Sequence, residues 1–331
     1  MMNYNLFKEV VTEKFKDYLS KEYKDMDMHV NPIEKINHTL DGISLLGGTE
    51  ERRVSATICI NEMYDHYMEC NDLQEVLRNA AAKMEQLFQQ GSQFQQIDLA
   101  DAKEHIVFEL VNTEQNREML KNMPHREFQD LSIIYRWVVN MDPEGIHSIK
   151  VNNTLAKKLN LSEEQLFSLA SENTRRILPP CVKSMGEVIR DMFVKEGMPA
   201  EMADSMMSEM PQEQPMWVIS NDRGINGAVS MLYEDKLYAL AQQSGTDLYI
   251  LPSSTHEVIA LPASMESPEK LAQMVYDINM SQVALGERLS NQVYYYDKDL
   301  RKLSLATDTP NKRLDGVISE PPMVYETKQT R

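Results

Sequence analysis

Apolar residues along this chain of 331 residues fall into stretches of helical and of strand period, and the stretches are interspersed. Near the start, Leu6, Val10, Phe15 and Leu19 recur close to helical spacing, which predicts a helix over residues 3–22. "DMHVNPIEKI" and "LDGISLL" read as strands and "SATICINEMYDHYM" as a third, after which Asn71 and Asp72 cap a helix running to about Gln90. Further on, "HIVFELVN" is strand-like, Asn112 and Gln115 resemble a capping box opening a short helix, and "REFQDLSIIYRWVV" returns as a strand. A turn at Asp142-Pro143-Glu144-Gly145 leads to a short strand over His147 to Val151. Asn152 or Asn153 then caps one helix, and Ser162 with Gln165 opens the next.

The last third has the clearest pattern. "PMWVIS" and "GAVSML" read as strands joined by the turn "NDRGING", "YEDKLYALAQQSG" as a helix closed by Gly245, and "DLYIL" and "HEVIALP" as neighbouring antiparallel strands. A helix with Ser267 as N-cap and Pro268 in its first turn follows, and "NQVYYYD" and "LRKLSLA" close the sheet. Hairpin-length connections dominate. The expected class is therefore α+β, with mixed, largely antiparallel sheets and packed helices, rather than a doubly wound parallel sheet.

The expected organisation is an N-terminal α+β domain over 1–145, a helical connecting region with a Met-rich segment over 146–215, a C-terminal domain over 216–306 and an extended or mobile tail over 307–331. In the connecting region Met202, Met206 and Met210 recur every four residues on a short helix that Pro199 can open. Such a stripe reads either as core cover or as an adaptable binding groove.

Composition narrows the class of protein. The chain is 42% hydrophobic and 26% charged, the balance of a soluble globular protein of about two domains. The charged, amphipathic start and the lack of a ~20-residue apolar run point to a cytoplasmic protein without membrane partners. Cys59, Cys70 and Cys181 are far apart and lack CxxC spacing, so neither a disulfide framework nor a cysteine zinc site is expected. With 51 acidic against 34 basic side chains the net charge is -17, and nucleic acid is not an expected partner. The partner is expected to be a protein or a small molecule.

Chemistry concentrates in "LYILPSSTHEVIALP", residues 248–262. Ser253, Ser254, His256 and Glu257 form either a catalytic cluster or a turn between strands whose hydroxyls bond local backbone. If His256 opens a strand, it shares a face with Ser254 and opposes Glu257. No GxSxG elbow occurs, and Ala260 stands where HExxH zinc chemistry needs a second histidine. The turn Asp222, Arg223 and Asn226 is a candidate binding element, with Asp222 or Glu257 as the acid of a Ser-His site. Glu62, Asp65, His66 and Glu69, taken as a strand, alternate between faces and are not expected to hold a metal. No cofactor is expected, since neither GxxxxGK[ST] nor GxGxxG is present.

The same tract, with "VISNDRGINGAVSMLY", "ASENTRRILPP" and "LVNTEQNREMLKNMPHREFQDLSIIYR", resembles a bacterial family, domain of unknown function 5688, found in gut Firmicutes and often linked to mobile elements. The resemblance runs through most of the chain. It implies a cytoplasmic protein and carries no catalytic residue or cofactor with it. Thr255 stands where the family has Val or Ile, and Cys70 where glycine is more common, which bears on the turn there. Two functions follow: a non-enzymatic protein- or ligand-binding protein, or a hydrolase or transferase with a Ser-His site at 253–257.

Overall fold

Asn3 starts the first helix: its side-chain oxygen accepts a hydrogen bond from the Leu6 amide at 3.0 Å, and α1 (Tyr4–Tyr18) follows. The computed structural model describes residues 1–48, 53–93, 99, 101–142, 145–209 and 215–316. The buried stripe of α1 is Phe7, Val11 and Phe15, one position along from the Leu6 and Val10 expected, because these three keep an unbroken four-residue spacing on one face. Beyond the single-turn α2 (Lys21–Lys24), strands β1 (Asp27–Glu34), β2 (Thr39–Gly48) and β3 (Arg53–Cys59) form an antiparallel sheet in that order.

The expected third strand ends at Cys59. There α3 (Ile60–Cys70) takes over, since Val54, Ala56 and Ile58 alternate whereas Ile60, Met63 and Tyr67 bury one helical face. Asn71, at φ 54°, makes the turn after Cys70, and the Asp72 carboxylate accepts from the Gln74 and Glu75 amides to open α4 (Leu73–Gln93). Phe7, Phe15, Ile43, Leu45, Leu77 and Met84 form the centre of this unit's core. Burying each stabilises the fold by about 1.5–3 kcal/mol.

The chain divides into two compact units, Met1–Asp98 and Leu99–Arg331, so the boundary expected at 145 lies at 98/99 instead. In the second unit come β4 (Ile106–Asn112), the single-turn α5 (Arg117–Leu120), β5 (His125–Phe128), β6 (Leu131–Asp142), β7 (Gly145–Lys150), α6 (Asn153–Leu159) and α7 (Glu163–Ile177). After them run β8 (Pro180–Ser184), α8 (Met185–Lys195), α9 (Ala200–Glu209), β9 (Trp217–Asn221), α10 (Glu234–Ser244), β10 (Leu248–Leu251), β11 (Val258–Pro262), α11 (Pro268–Ser281), β12 (Tyr294–Asp297) and β13 (Lys302–Leu305). Strand β6 is the spine of a four-stranded antiparallel sheet, paired with β4, β5 and β7. A six-stranded antiparallel sheet has the order β13-β12-β10-β11-β9-β8. The fold class is α+β, with antiparallel sheets and packed helices.

Region 146–215 is no connector, because it is stitched into both sheets. The Thr174 hydroxyl of α7 accepts from the Phe108 amide of β4 at 2.9 Å, and β8 pairs with β9 along its length. Three other expectations change within this unit. "REFQDLSIIYRWVV" is two strands, β5 and β6, turned at Gln129-Asp130. "GAVSML" is a buried 3₁₀ helix over Gly227–Leu232, not a strand: its residues pack on all sides, so no strand alternation exists to be satisfied. Residues 307–316 of the expected tail are pinned, since Asn291 Nδ2 donates to the Asn311 and Arg313 carbonyls and Leu314 is fully buried. The rest of that tail, and Met210, lie outside the described residues.

β10 and β11 pair antiparallel as expected, from Leu248 opposite Pro262 to Leu251 opposite Ile259. No helix among the described residues is long and apolar enough to cross a membrane.

Candidate functional site

The loop from β10 to β11 holds the serine-histidine tract, and its backbone is tied down on two sides. Leu289 and Ser290 amides donate to the Ser253 and Pro252 carbonyls at 3.1 and 2.9 Å, and the Thr255 amide donates to the Glu287 carbonyl at 2.8 Å. On the other side the Ala228 amide donates to the Thr255 carbonyl, and the Ser220 hydroxyl to the His256 carbonyl at 2.7 Å. Gly227 fits between these elements because it has no side chain; a Cβ there would lie 2.5 Å from the His256 carbonyl oxygen. Strand β11 starts only at Val258, so the face-sharing expected for His256 and Ser254 does not arise from strand alternation.

Ser254 is buried, and its hydroxyl accepts from the His256 amide at 3.0 Å. The His256 ring meets other partners: Nδ1 accepts from the Asn226 amide at 3.3 Å, and Nε2 lies 3.5 Å from the Glu287 carboxylate. The tertiary fold thus joins Asn226 to His256 and supplies Glu287 as the carboxylate beside the ring. Glu257, Asp222 and Arg223 are exposed. Asn226 is held at φ 53°, the conformation that asparagine tolerates better than most side chains.

Glu62 and His66 sit one helical turn apart on α3 rather than on a strand, and with Lys83 they line a hollow of about 140 Å³ beside Cys59, whose thiol burial pushes up. Among the described residues, no group of three or more His, Cys, Asp or Glu side chains is placed to hold a metal ion.

The better-built site was not among the sequence candidates. Asp130 ends the two-residue loop between β5 and β6, after Gln129 at φ 59°, a conformation that usually falls to glycine in tight hairpins. Its carbonyl accepts from the Thr113 amide at 3.0 Å, and its carboxylate turns inward. One oxygen accepts from the Ser290 hydroxyl at 2.6 Å and the other from the Tyr294 hydroxyl, and both donor residues are fully buried. Burial raises the Asp130 carboxyl above its ordinary range; the hydroxyl and backbone hydrogen bonds and Lys312 oppose the shift without cancelling it. Tyr294 is pushed well above its usual value, by burial first and by the neighbouring carboxylate second.

Around Asp130 lies a cleft of about 280 Å³ lined by Asn112, Thr113, Glu114, Gln292, Asp308 and Lys312, among others. Behind it runs a short polar segment, Ser290-Asn291-Gln292, of which Gln292 lines the cleft and Ser290 holds Asp130. Gln292 accepts from the Thr307 hydroxyl and the Thr309 amide and donates to Thr309; Asn112 donates to the Leu289 carbonyl at 3.2 Å. Lys312 pairs with Asp308 at 2.7 Å. These amides are consumed by the scaffold; of the carboxylates lining the cleft, Glu114 pairs with Arg117 and Asp308 with Lys312, whereas Asp130 is held by two hydroxyls and its oxygens keep lone pairs for a new donor. The signal in the sequence was three consecutive polar residues directly before an apolar strand, which the strand pattern of "NQVYYYD" concealed.

Comparison with curated proteins and with solved structures yields no match. The sequence model of one family does match, over residues 4–298, nearly the whole described chain, and on that ground the chain belongs to the family of unknown function DUF5688.

Proposed function

We propose that the protein is a non-enzymatic binding protein whose Asp130 cleft takes a small polar molecule presenting an ammonium or hydroxyl donor. The observation that carries this reading is the Asp130 carboxylate, positioned by two buried hydroxyls at the base of an open polar cleft. A raised carboxyl in a cleft marks functional sites because a ligand's positive or donor group relieves the cost of burying the charge. The cleft's size, about 280 Å³, suits a molecule near the small end of the ~300–1,000 Å³ range of ligand sites. A binder is favoured over the Ser-His hydrolase because the His256 ring engages the Asn226 amide and faces Glu287, while Ser254 spends its hydroxyl on local backbone. The net charge of -17 weighs against nucleic acid as a partner and favours cationic ligands.

The test is a thermal-shift screen of the full chain against small amines, amino sugars and polyols, run in parallel on Asp130→Asn. A ligand at 100 times its Kd stabilises by about 2.7 kcal/mol. The reading expects at least one amine or polyol to raise the wild-type melting temperature and to lose that effect in the variant. Equal shifts in both proteins, or none across the panel, would overturn it.

A further inference from the structure

The structure points to a second binding surface, and we propose that the α8–α9 hairpin docks a basic amphipathic helix of a partner protein. The two helices pack antiparallel: Gly186 lies against Met207, with 3.5 Å between the Met207 methyl and a Cβ placed at Gly186, and Arg190 pairs with Asp204 at 2.5 Å. Ala203 is buried, consistent with the same inner seam. Taking that seam as reference, helical spacing turns Ile189 and Met192 of α8 and Met202 and Met206 of α9 toward one common side. That side is uncovered. Met192 is 55% exposed, Met202 58% and Met206 37%, and α8 has no fully buried residue although its sequence, MGEVIRDMFVK, is largely apolar.

The expectation that the methionine stripe covers a core is therefore not met for Met202 and Met206; the stripe faces outward. An apolar face of this kind rimmed by polar residues marks an interaction site, and unbranched methionines repack around helices of differing shape. The usual occupant of such a face is an amphipathic helix laying apolar side chains at i, i+3, i+4 and i+7 into it.

Charge selects the kind of helix. Lys183 of β8 is spent on Asp191 and Arg190 on Asp204, and Glu187 caps α8 by accepting from Ser184, while Glu196 and Glu201 are exposed against Lys195. The hairpin is thus net acidic on a chain of net charge -17, so a lysine- or arginine-bearing helix is attracted and an acidic one repelled. The same charge disfavours a second copy of this chain as the occupant.

The test uses the full chain and a fluorescein-labelled helical peptide of leucine and lysine, about 18 residues or five turns long, read by anisotropy at about 0.15 M ionic strength. The comparison protein carries Met192→Gln, Met202→Gln and Met206→Gln, exposed positions where the change alters neither charge nor core. The proposal expects saturable binding that weakens at least about tenfold in the triple variant, and no binding of a leucine-glutamate peptide of the same pattern. Melting of the variant at the wild-type temperature ties the loss to the surface. Absence of saturable binding, or equal affinity for both proteins, would overturn the proposal, the latter by showing attraction through charge alone. So would comparable affinity for the acidic peptide, or sedimentation showing a wild-type dimer that the variant lacks.

Discussion

Gly227 makes the most demanding test of how the β10–β11 loop is held. Its φ is unexceptional, so alanine is unwelcome there only for want of space. A Cβ would lie 2.1 Å from the Ser220 hydroxyl oxygen, 2.5 Å from the His256 carbonyl oxygen and 2.8 Å from the Asn221 amide nitrogen. The hydroxyl can rotate away, but the other two atoms are backbone: Asn221 is held by the pairing of β9 with β8, and His256 lies just before the β11 ladder with β9. Ordinary overpacking costs about 1–3 kcal/mol, and contacts with two backbone atoms place Gly227→Ala at about 3 kcal/mol or above. For a unit of this size that lowers the melting temperature by roughly 6–12 °C.

Gly224→Ala is the calibration. It has φ 65° and nothing within 4 Å of a Cβ, so it loses only about 1–2 kcal/mol to backbone strain. Both tryptophans, Trp137 and Trp217, belong to the second unit, so urea unfolding followed by tryptophan fluorescence reports on that unit alone. A Gly227→Ala protein within about 1 kcal/mol of wild type would refute the reasoning. Full rescue by Ser220→Ala would refute it too, by showing that only the movable hydroxyl stood in the way.

Asp130 binds its proton more tightly in the folded protein than in the unfolded chain, where carboxyls titrate near ~3.9. Its contribution to stability therefore strengthens as pH falls from the raised native value toward ~4 and weakens as pH rises again; wild type should gain on Asp130→Asn in urea titrations from pH 7 down to 4, and the opposite slope would contradict the assigned direction. Ser254→Ala should cost about 1 kcal/mol through its bond to the His256 amide. Neither Ser253 nor Ser254 should react with a serine-directed phosphonate, and labelling at either that vanishes in His256→Ala would restore the hydrolase reading. Ser162→Ala should cost about 1 kcal/mol of thermal stability, because Ser162 and Gln165 exchange side-chain and backbone hydrogen bonds at the start of α7; an unchanged melting temperature would show that cap to be dispensable.

Local interactions decided what the sequence could show. Asn152 and Ser162 cap their helices, Gly245 closes α10 at φ 72°, and β10 meets β11 across a short loop, each because the governing contacts span a few residues. The family could be recognised for a related reason, since its motifs are contiguous stretches. Expectations changed where a pattern served two periods or burial was complete. Ile60 follows a strand alternation and begins a helical one, and the enclosed Gly227–Leu232 segment has no polar face to set a period. Met202 and Met206 have helical spacing whether they face a core or solvent, and only the packing of α8 against α9 turned them outward. The Asp130 cleft was least legible of all. Its carboxylate meets hydroxyls 160 and 164 positions away, and no local rule of spacing can relate a hairpin turn to a strand that far along the chain. The sequence supplied the donors and the acceptor; the antiparallel sheets of the second unit, by bringing the β5–β6 turn onto the Ser290–Tyr294 segment, made them a site.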